Sequence, residues 1–554
     1  MASYLPLPSV FQQSYLQKDS YPSNIIERTI GTYPSGLEEY KKRLEDAAVD
    51  LCYEPDVRGA DVSFYDLQAD NGTGTELEKH NLRSIDKLTE WLTIRVVWDG
   101  IKPENSVVAV EKKDPNYIYG QNSRARLKIT RPMLVEILSF HQVMPDYLDF
   151  LLIFGLQSQQ NDLGFSSFRE QTNLTAARET YRIDSLARSG KQYQLCYNLK
   201  GVTCTFKERL DPIKNQYSIR QAAIYHRFDV VGGNTVWIVT KGGLDLYNRF
   251  KELTGDNARP EERSFSTPEE CFRSSLSAHL LFCYWSTEDW RGYIKWLENM
   301  IDDKTKLAVL GPVGKGHHHR LYTPGDIQDL LLWGEKVTEA ITVLEYNVDI
   351  MDSLRNFYIG LGSNKDCEPA MTCHEDVDIF TNNVSNMIHD FKRQIFRSKA
   401  LVKLLSDRTE LVKQLRIERM NYHMENEAIV VRIITIVTLI YLPATFTSTF
   451  FSTDIIKYQG QNSPAGKFSQ IAMNRWLEVT IPLSFLTIIV AYVGKKWAES
   501  QSLLGDSDED HGNKKRRHTN TWSSSFAAPR SNSIGPSKGS NRSLPLLPLQ
   551  NPAG

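Results

Sequence analysis

The chain has 554 residues, with 65 Lys and Arg against 67 Asp and Glu, for a net charge of −2. That balance gives no global positive field for nucleic acid, and the length admits two soluble subdomains beside any membrane segment. Seven cysteines without disulfide-like spacing suit a reducing compartment.

In chain order, residues 1–85 read as an irregular N-terminal extension rich in Tyr, Pro, Asp and Asn, with one helical stretch over 37–51. The opening MASYLPLPSVFQQSYLQ has neither the basic-then-apolar layout of a signal peptide nor an Arg-rich presequence. Residues 86–320 read as a cytosolic α+β domain. Within it, 92–98 and 107–110 are expected as strands around the turn Lys102-Pro103-Glu104-Asn105. The apolar spacing over 133–154, broken at Pro145, predicts two core helices. Residues 193–199 and 202–206 are expected as two short strands. The clearest hairpin joins 222–230 to 235–240 through Gly232-Gly233-Asn234, a turn that supplies the positive φ a tight connection needs.

From Pro324 the pattern turns to long helices, a helical hairpin and stalk over 321–432. Leu330, Val337, Ile341, Leu344, Val348 and Met351 share one stripe. Val384, Ile388, Phe391, Ile395, Val402, Leu405, Val412 and Leu415 form a second, coiled-coil-like seam. Neither Pro nor Gly occurs between Val377 and Pro443, so one helix is expected to run on into the apolar segment.

Two apolar runs follow, 433–451 and 476–494, within a two-span hairpin over 433–498. Each is long enough to cross a hydrocarbon core of about 30 Å. The first carries only hydroxyls as polar groups, which a helix backbone can satisfy. Trp476, Tyr492 and Trp497 bracket the second, and Lys495 and Lys496 follow it. Positive charge is in excess on the outer flanks, at Lys413, Arg416, Arg419, Arg432 and Lys495 onward, which places both chain ends in the cytoplasm. The plasma membrane is expected rather than the mitochondrial. Residues 499–554 are Ser, Pro, Asn and Gly rich and are expected as a disordered cytosolic tail, with a basic patch from Lys514 to Arg517 suited to anionic lipid.

Along the first span, Ala428, Val431, Thr435, Thr438, Leu442, Thr445, Thr449 and Ser452 advance by three or four and share one small or hydroxylated face. Such a face suits either an aqueous axis or tight helix packing. If it lines a pore, Val431 and Leu442 are its apolar constrictions.

The segment from Ile433 to Phe446, with Leu442-Pro443-Ala444-Thr445-Phe446 at its core after a long stalk, resembles the pore helix of CorA-like divalent-cation channels and ZntB-like zinc transporters. The body resembles the fungal branch of that family in general architecture. The resemblance implies an α+β cytosolic domain followed by a long stalk helix and two C-terminal transmembrane helices. It implies a homo-oligomer, a pentamer, that moves divalent cations such as Mg²⁺ or Zn²⁺ without enzymatic activity or a permanently bound cofactor. The family closes its first span with Gly-Met-Asn, and Ser452-Thr453-Asp454 stands there instead. By resemblance these three form the outer-mouth filter, with Asp454 as the metal-facing carboxylate. The alternative is a membrane-anchored scaffold or sensor that kept the architecture and lost conduction. No G-x-x-x-x-G-K-[S/T] motif is present, so no nucleotide drives the process by that route.

Other groups carry weaker chemistry. His317-His318-His319 lies in a Gly-rich stretch and reads as a solvated loop. Cys367, Cys373, His374, Glu375, Asp376 and Asp378 suit a regulatory metal by type, but Asp376 and Asp378 are better read as answering the dipole of the stalk's first turn. His226 and Asp229 are expected as strand residues facing solvent or a neighbour.

Overall fold

The computed structural model describes residues 8–26, 33–54, 59–69, 75–98, 114–120, 125–156, 163–175, 182–183, 186, 188–204, 217–242, 245–254, 259, 265–311, 322–452 and 470–513. The chain divides into two compact units, Met1–Met420 and Asn421–Gly554. The N-terminal elements are α1 (Ser9–Leu16), α2 (Pro34–Leu51), β1 (Cys52–Tyr53), β2 (Val62–Ala69), β3 (Thr75–Leu82) and α3 (Ile85–Trp98). Next come β4 (Asp114–Gly120), β5 (Leu127–Thr130), α4 (Arg131–Phe140), α5 (Tyr147–Leu151), β6 (Phe168–Asn173), β7 (Gln192–Cys204), β8 (Tyr217–Asp229) and β9 (Thr235–Gly242). The helical part comprises α6 (Asp245–Thr254), α7 (Pro268–Thr287), α8 (Trp290–Leu310), α9 (Pro324–Gly362), α10 (Glu368–Thr372), α11 (His374–Ser452) and α12 (Gln470–Asn513).

The first unit is a mixed sheet with helices on both faces. The strand order is β1-β5-β4-β9-β8-β7-β6, with the β2–β3 hairpin joined at β4. β6 to β9 form an antiparallel meander, and β7 and β8 pair without a break from Gln192 opposite Asp229 to Cys204 opposite Tyr217. β9 then meets β4 in parallel, Asp114 opposite Val236. Alternation splits the apolar side chains. Tyr193, Tyr197, Ile224, Trp237 and Val239 face a core built with α7, α8, α9 and α11. Cys196, Ala223, Tyr225, Val236 and Ile238 face a second core built with α1, α2, α4 and α5. Two covered faces make the central strands apolar on both sides.

Several expectations change. Residues 92–98 are helical, part of α3, with Leu88 and Leu92 one turn apart and buried. The strand expected at 193–199 and the described part of the one expected at 202–206 are one strand, β7, that runs through Gly201; residues 205 and 206 lie outside the described residues. A β-carbon at Gly201 would stand 3.1 Å from the Trp285 carbonyl oxygen, so this glycine allows close approach and does not end the strand. The described part of residues 1–85 is not an irregular extension: α1, α2 and β2 supply Phe11, Leu37, Leu44, Leu51 and Phe64 to the second core. Tyr15 and Lys18 meet the fully buried Glu136 carboxylate at 2.6 and 3.1 Å. The strand expected at 107–110 lies outside the described residues.

The helical expectations hold. α4 and α5 flank Pro145. α9 opens with a capping box, in which Thr323 accepts from the Asp326 amide and Asp326 answers the Thr323 amide. α11 runs unbroken for 79 residues. Its seam residues Val384, Ile388, Phe391, Ile395, Leu405 and Val412 are buried, whereas Leu415 is exposed, so the covered seam ends one turn early. α12 ends at Asn513, so helix extends past residue 499, where the irregular tail was expected to begin.

Candidate functional site

Helical spacing makes the second unit a pair of apolar helices. The C-terminal part of α11 and residues 473–494 of α12 are long and apolar enough to cross a membrane. Ile433, Ile436, Val437, Ile440 and Phe450 on one, and Ile481, Phe485, Ile489 and Val490 on the other, are exposed on the isolated chain. So much uncovered apolar surface requires lipid or other protein.

Among the described residues, one face of α11 meets α12 here. Pro443 and Thr447 are buried, and the Thr447 hydroxyl lies 2.7 Å from that of Thr480, also buried. The Trp476 indole N–H donates to the Ser448 hydroxyl at 3.1 Å. On α12 the contact face continues through Leu483, Ser484 and Thr487, all half-buried. Small and hydroxylated groups allow this approach and satisfy each other where water is absent.

The predicted stripe is elsewhere. Val431, Thr435, Thr438, Leu442, Thr445, Thr449 and Ser452 are all exposed, Leu442 at 67%. At about 100° per residue, their row is centred on the side of the helix opposite Pro443 and Thr447. The stripe is therefore not the packing face of the hairpin. Its hydroxyls spend their protons on their own helix. Thr435 donates to the Val431 carbonyl at 2.7 Å, Thr438 to Thr435 at 2.9 Å and Thr445 to Leu442 at 2.9 Å. Thr449 donates to Phe446 and Ser452 to Thr449, each at 2.8 Å. What each oxygen offers outward is a lone pair, an acceptor surface that suits cations and the outward hydrogens of hydrated ions. Asp454 and Thr453 of the expected filter lie outside the described residues, as do His317, His318 and His319.

The other candidates disperse. Cys367 and Cys373 are buried, and the Cys373 thiol sits 3.7 Å from the Glu269 carbonyl oxygen. Asp376 stands in the first turn of α11, as expected for the helix dipole, and its carboxylate is held by Arg273 at 2.7 Å. Among the described residues no group of three or more His, Cys, Asp or Glu could hold a metal ion. Asp229 is the last residue of β8 and faces neighbours, as expected: its buried carboxylate accepts from the Ser189 hydroxyl and from the amides of Val231 and Gly232. His226 faces neighbours and not solvent: it is fully buried, with its Nδ1 3.1 Å from His279 Nε2. Sequence reasoning missed that pair and the Thr447–Thr480 contact. Thr447 had a signal, since it falls off the stripe together with Tyr441 and Ser448, and Ser448 also meets α12; the histidines, 53 positions apart, had none.

A family model described as CorA-like transporters matches residues 13–309, more than half of the chain. No curated protein matches. Among solved structures, the CorA magnesium transporter from Methanocaldococcus jannaschii is 12% identical at a TM-score of 0.35, covering 77% of this chain and 96% of its own. The full-length CmaX protein is 10% identical at 0.31, covering 79% and 99%. The ZntB cytoplasmic domain from Vibrio parahaemolyticus RIMD 2210633 is 10% identical at 0.30, covering 65% and 99%.

Proposed function

The chain belongs to the CorA-like transporters, and from that premise we propose that it moves divalent metal cations, Mg²⁺ or Zn²⁺, through a pore lined by the C-terminal part of α11. The observation that carries this reading is the orientation of the hydroxyl stripe. The hairpin contact uses Pro443 and Thr447, which leaves Thr435, Thr438, Leu442, Thr445, Thr449 and Ser452 uncovered on the opposite side. A homo-oligomer, with five copies by family resemblance, brings these rows together around one axis. Val431 and Leu442 form apolar constrictions that gate by dewetting, and the hydroxyl oxygens between them accept from the ion's water shell. Ser452, Thr453 and Asp454 form the outer mouth, where a ring of Asp454 carboxylates concentrates cations. The membrane potential drives entry, about 4.6 kcal/mol for two charges at 100 mV. The chain ends lie in the cytoplasm, and the membrane is the plasma membrane.

The second reading is a non-conducting anchored scaffold, favoured by Ser452-Thr453-Asp454 standing where the family carries Gly-Met-Asn. Influx of Mg²⁺ and Zn²⁺ into liposomes holding the purified oligomer separates the two. The transport reading expects influx in the wild type, a loss of at least tenfold in Thr445→Leu and a comparable loss in Asp454→Ala. Equal influx in both variants defeats the pore assignment, and none in a well-folded wild type leaves the scaffold.

A further inference from the structure

Two histidines meet in the core of the first unit, between the central sheet and α7. Tyr197 on β7, His279 on α7, His226 on β8 and Thr235 on β9 form one hydrogen-bonded chain. The Tyr197 hydroxyl is 2.7 Å from His279 Nδ1, His279 Nε2 is 3.1 Å from His226 Nδ1, and His226 Nε2 is 2.9 Å from the Thr235 hydroxyl. Both rings are completely buried. Trp237 stacks on His226 at 3.9 Å, and Tyr193 and Tyr358 close the enclosure edge-on to His226 and His279 respectively.

We propose that the His226–His279 pair is a proton-sensitive joint that holds α7 on the sheet at neutral pH and releases it on acidification. The chain needs one proton in each gap. Whichever end donates, each ring is then neutral, with one nitrogen donating and the other accepting. A first added proton places a cation where no water reaches, a cost that the Trp237 face offsets in part. A second sets N–H against N–H across the 3.1 Å gap and breaks the joint. The ionisable groups described around the pair include Tyr193 and Tyr197 from β7, Tyr358 from α9 and Cys283 one turn along α7. Burial pushes Cys283 up to about 12 and raises the three phenols above their ordinary range, so none of these four is an anion at neutral pH.

In the unfolded chain both rings take up protons freely below about pH 6.5. The unfolded form then binds more protons than the folded one, so the joint is at full strength above that pH and weakens below it. α7 is pinned on its other side to α11, by Arg273 to Asp376 at 2.7 Å and by the Tyr284 hydroxyl to Asn383 at 3.2 Å. Loosening α7 therefore acts on the long helix directly.

Hydrogen exchange on the full chain in detergent micelles, with rates corrected for intrinsic pH effects, tests this. Between pH 7.5 and 5.5, peptides over 222–240 and 271–286 should lose protection at least tenfold, while peptides over 133–151, in the other core, keep theirs. The double variant His226→Gln, His279→Gln should show no such pH dependence. An equal loss in both cores, no loss at all, or an unchanged pH dependence in the double variant would each overturn the proposal. The wild-type comparison of the two cores decides the matter by itself where the variant does not fold.

Discussion

Thr445 and Thr447 stand two positions apart on α11 and have opposite surroundings. Thr445 is exposed with its proton spent on Leu442, whereas Thr447 is 2% exposed and meets Thr480. Substitution should separate the two roles. Thr447→Val leaves the Thr480 hydroxyl without this partner, at a cost of about 0.6–1.7 kcal/mol for an interhelical bond in a membrane. Thermal unfolding in detergent should show a lower midpoint for Thr447→Val and recovery in Thr447→Ser; an unchanged midpoint means the pair adds nothing to the hairpin. Asn347 makes the same point in the first unit. Its side chain accepts from the Lys200 amide at 3.0 Å and donates to the Lys200 carbonyl at 2.6 Å, closing β7 beyond the reach of β6. Nothing in the sequence marks an asparagine in an apolar helix as a substitute strand.

At the scale of elements, the seam on α11 was legible because its apolar residues recur at helical spacing, and up to Val412 all are buried except the half-buried Val402. Its ionic contacts were not legible. Arg397 holds Glu298 of α8 through two bonds of 2.7 Å, and Arg408 pairs with Asp302 one turn further along. The Arg397 guanidinium keeps the Glu298 carboxyl below its usual range. A depressed carboxylate contributes stability above its unfolded value, near pH 4.5, and loses it as pH falls through the folded one. Arg397→Ala should therefore lower thermal stability at pH 7 and flatten its fall in the acid range; a fall of unchanged depth would assign the acid sensitivity to other carboxylates. The misread elements have physical reasons too. Residues 92–98 are rich in β-branched and aromatic side chains, yet Leu88 and Leu92 at helical spacing reach the core first. The reading of β7 as two strands took Gly201 for a break, although it only admits Trp285.

For the whole molecule the largest revision is the N-terminal region. Its Tyr, Pro and Asn content suggested an extension, yet Phe11, Tyr21, Leu37, Leu44 and Leu51 within it are buried. Deleting residues 1–51 removes them and takes Tyr15 and Lys18 from the buried Glu136, to which the Thr89 hydroxyl still donates at 2.8 Å. Truncation should yield aggregated protein in detergent size-exclusion chromatography where the full chain is monodisperse. A monodisperse truncated protein would make the region dispensable after all.

The membrane helices, the 79-residue helix and the family were all legible in the sequence, because hydropathy and period are local properties that survive without tertiary contacts. The β8–β9 hairpin was legible for the same reason, since its turn chemistry lies within three residues. Only the tertiary structure decided which hydroxyls of the first span pack and which stay uncovered, that both faces of the sheet are covered, and that His226 meets His279. Those outcomes depend on which distant side chains share a buried space, and burial is set by the packing of the whole fold rather than by any neighbouring stretch of chain.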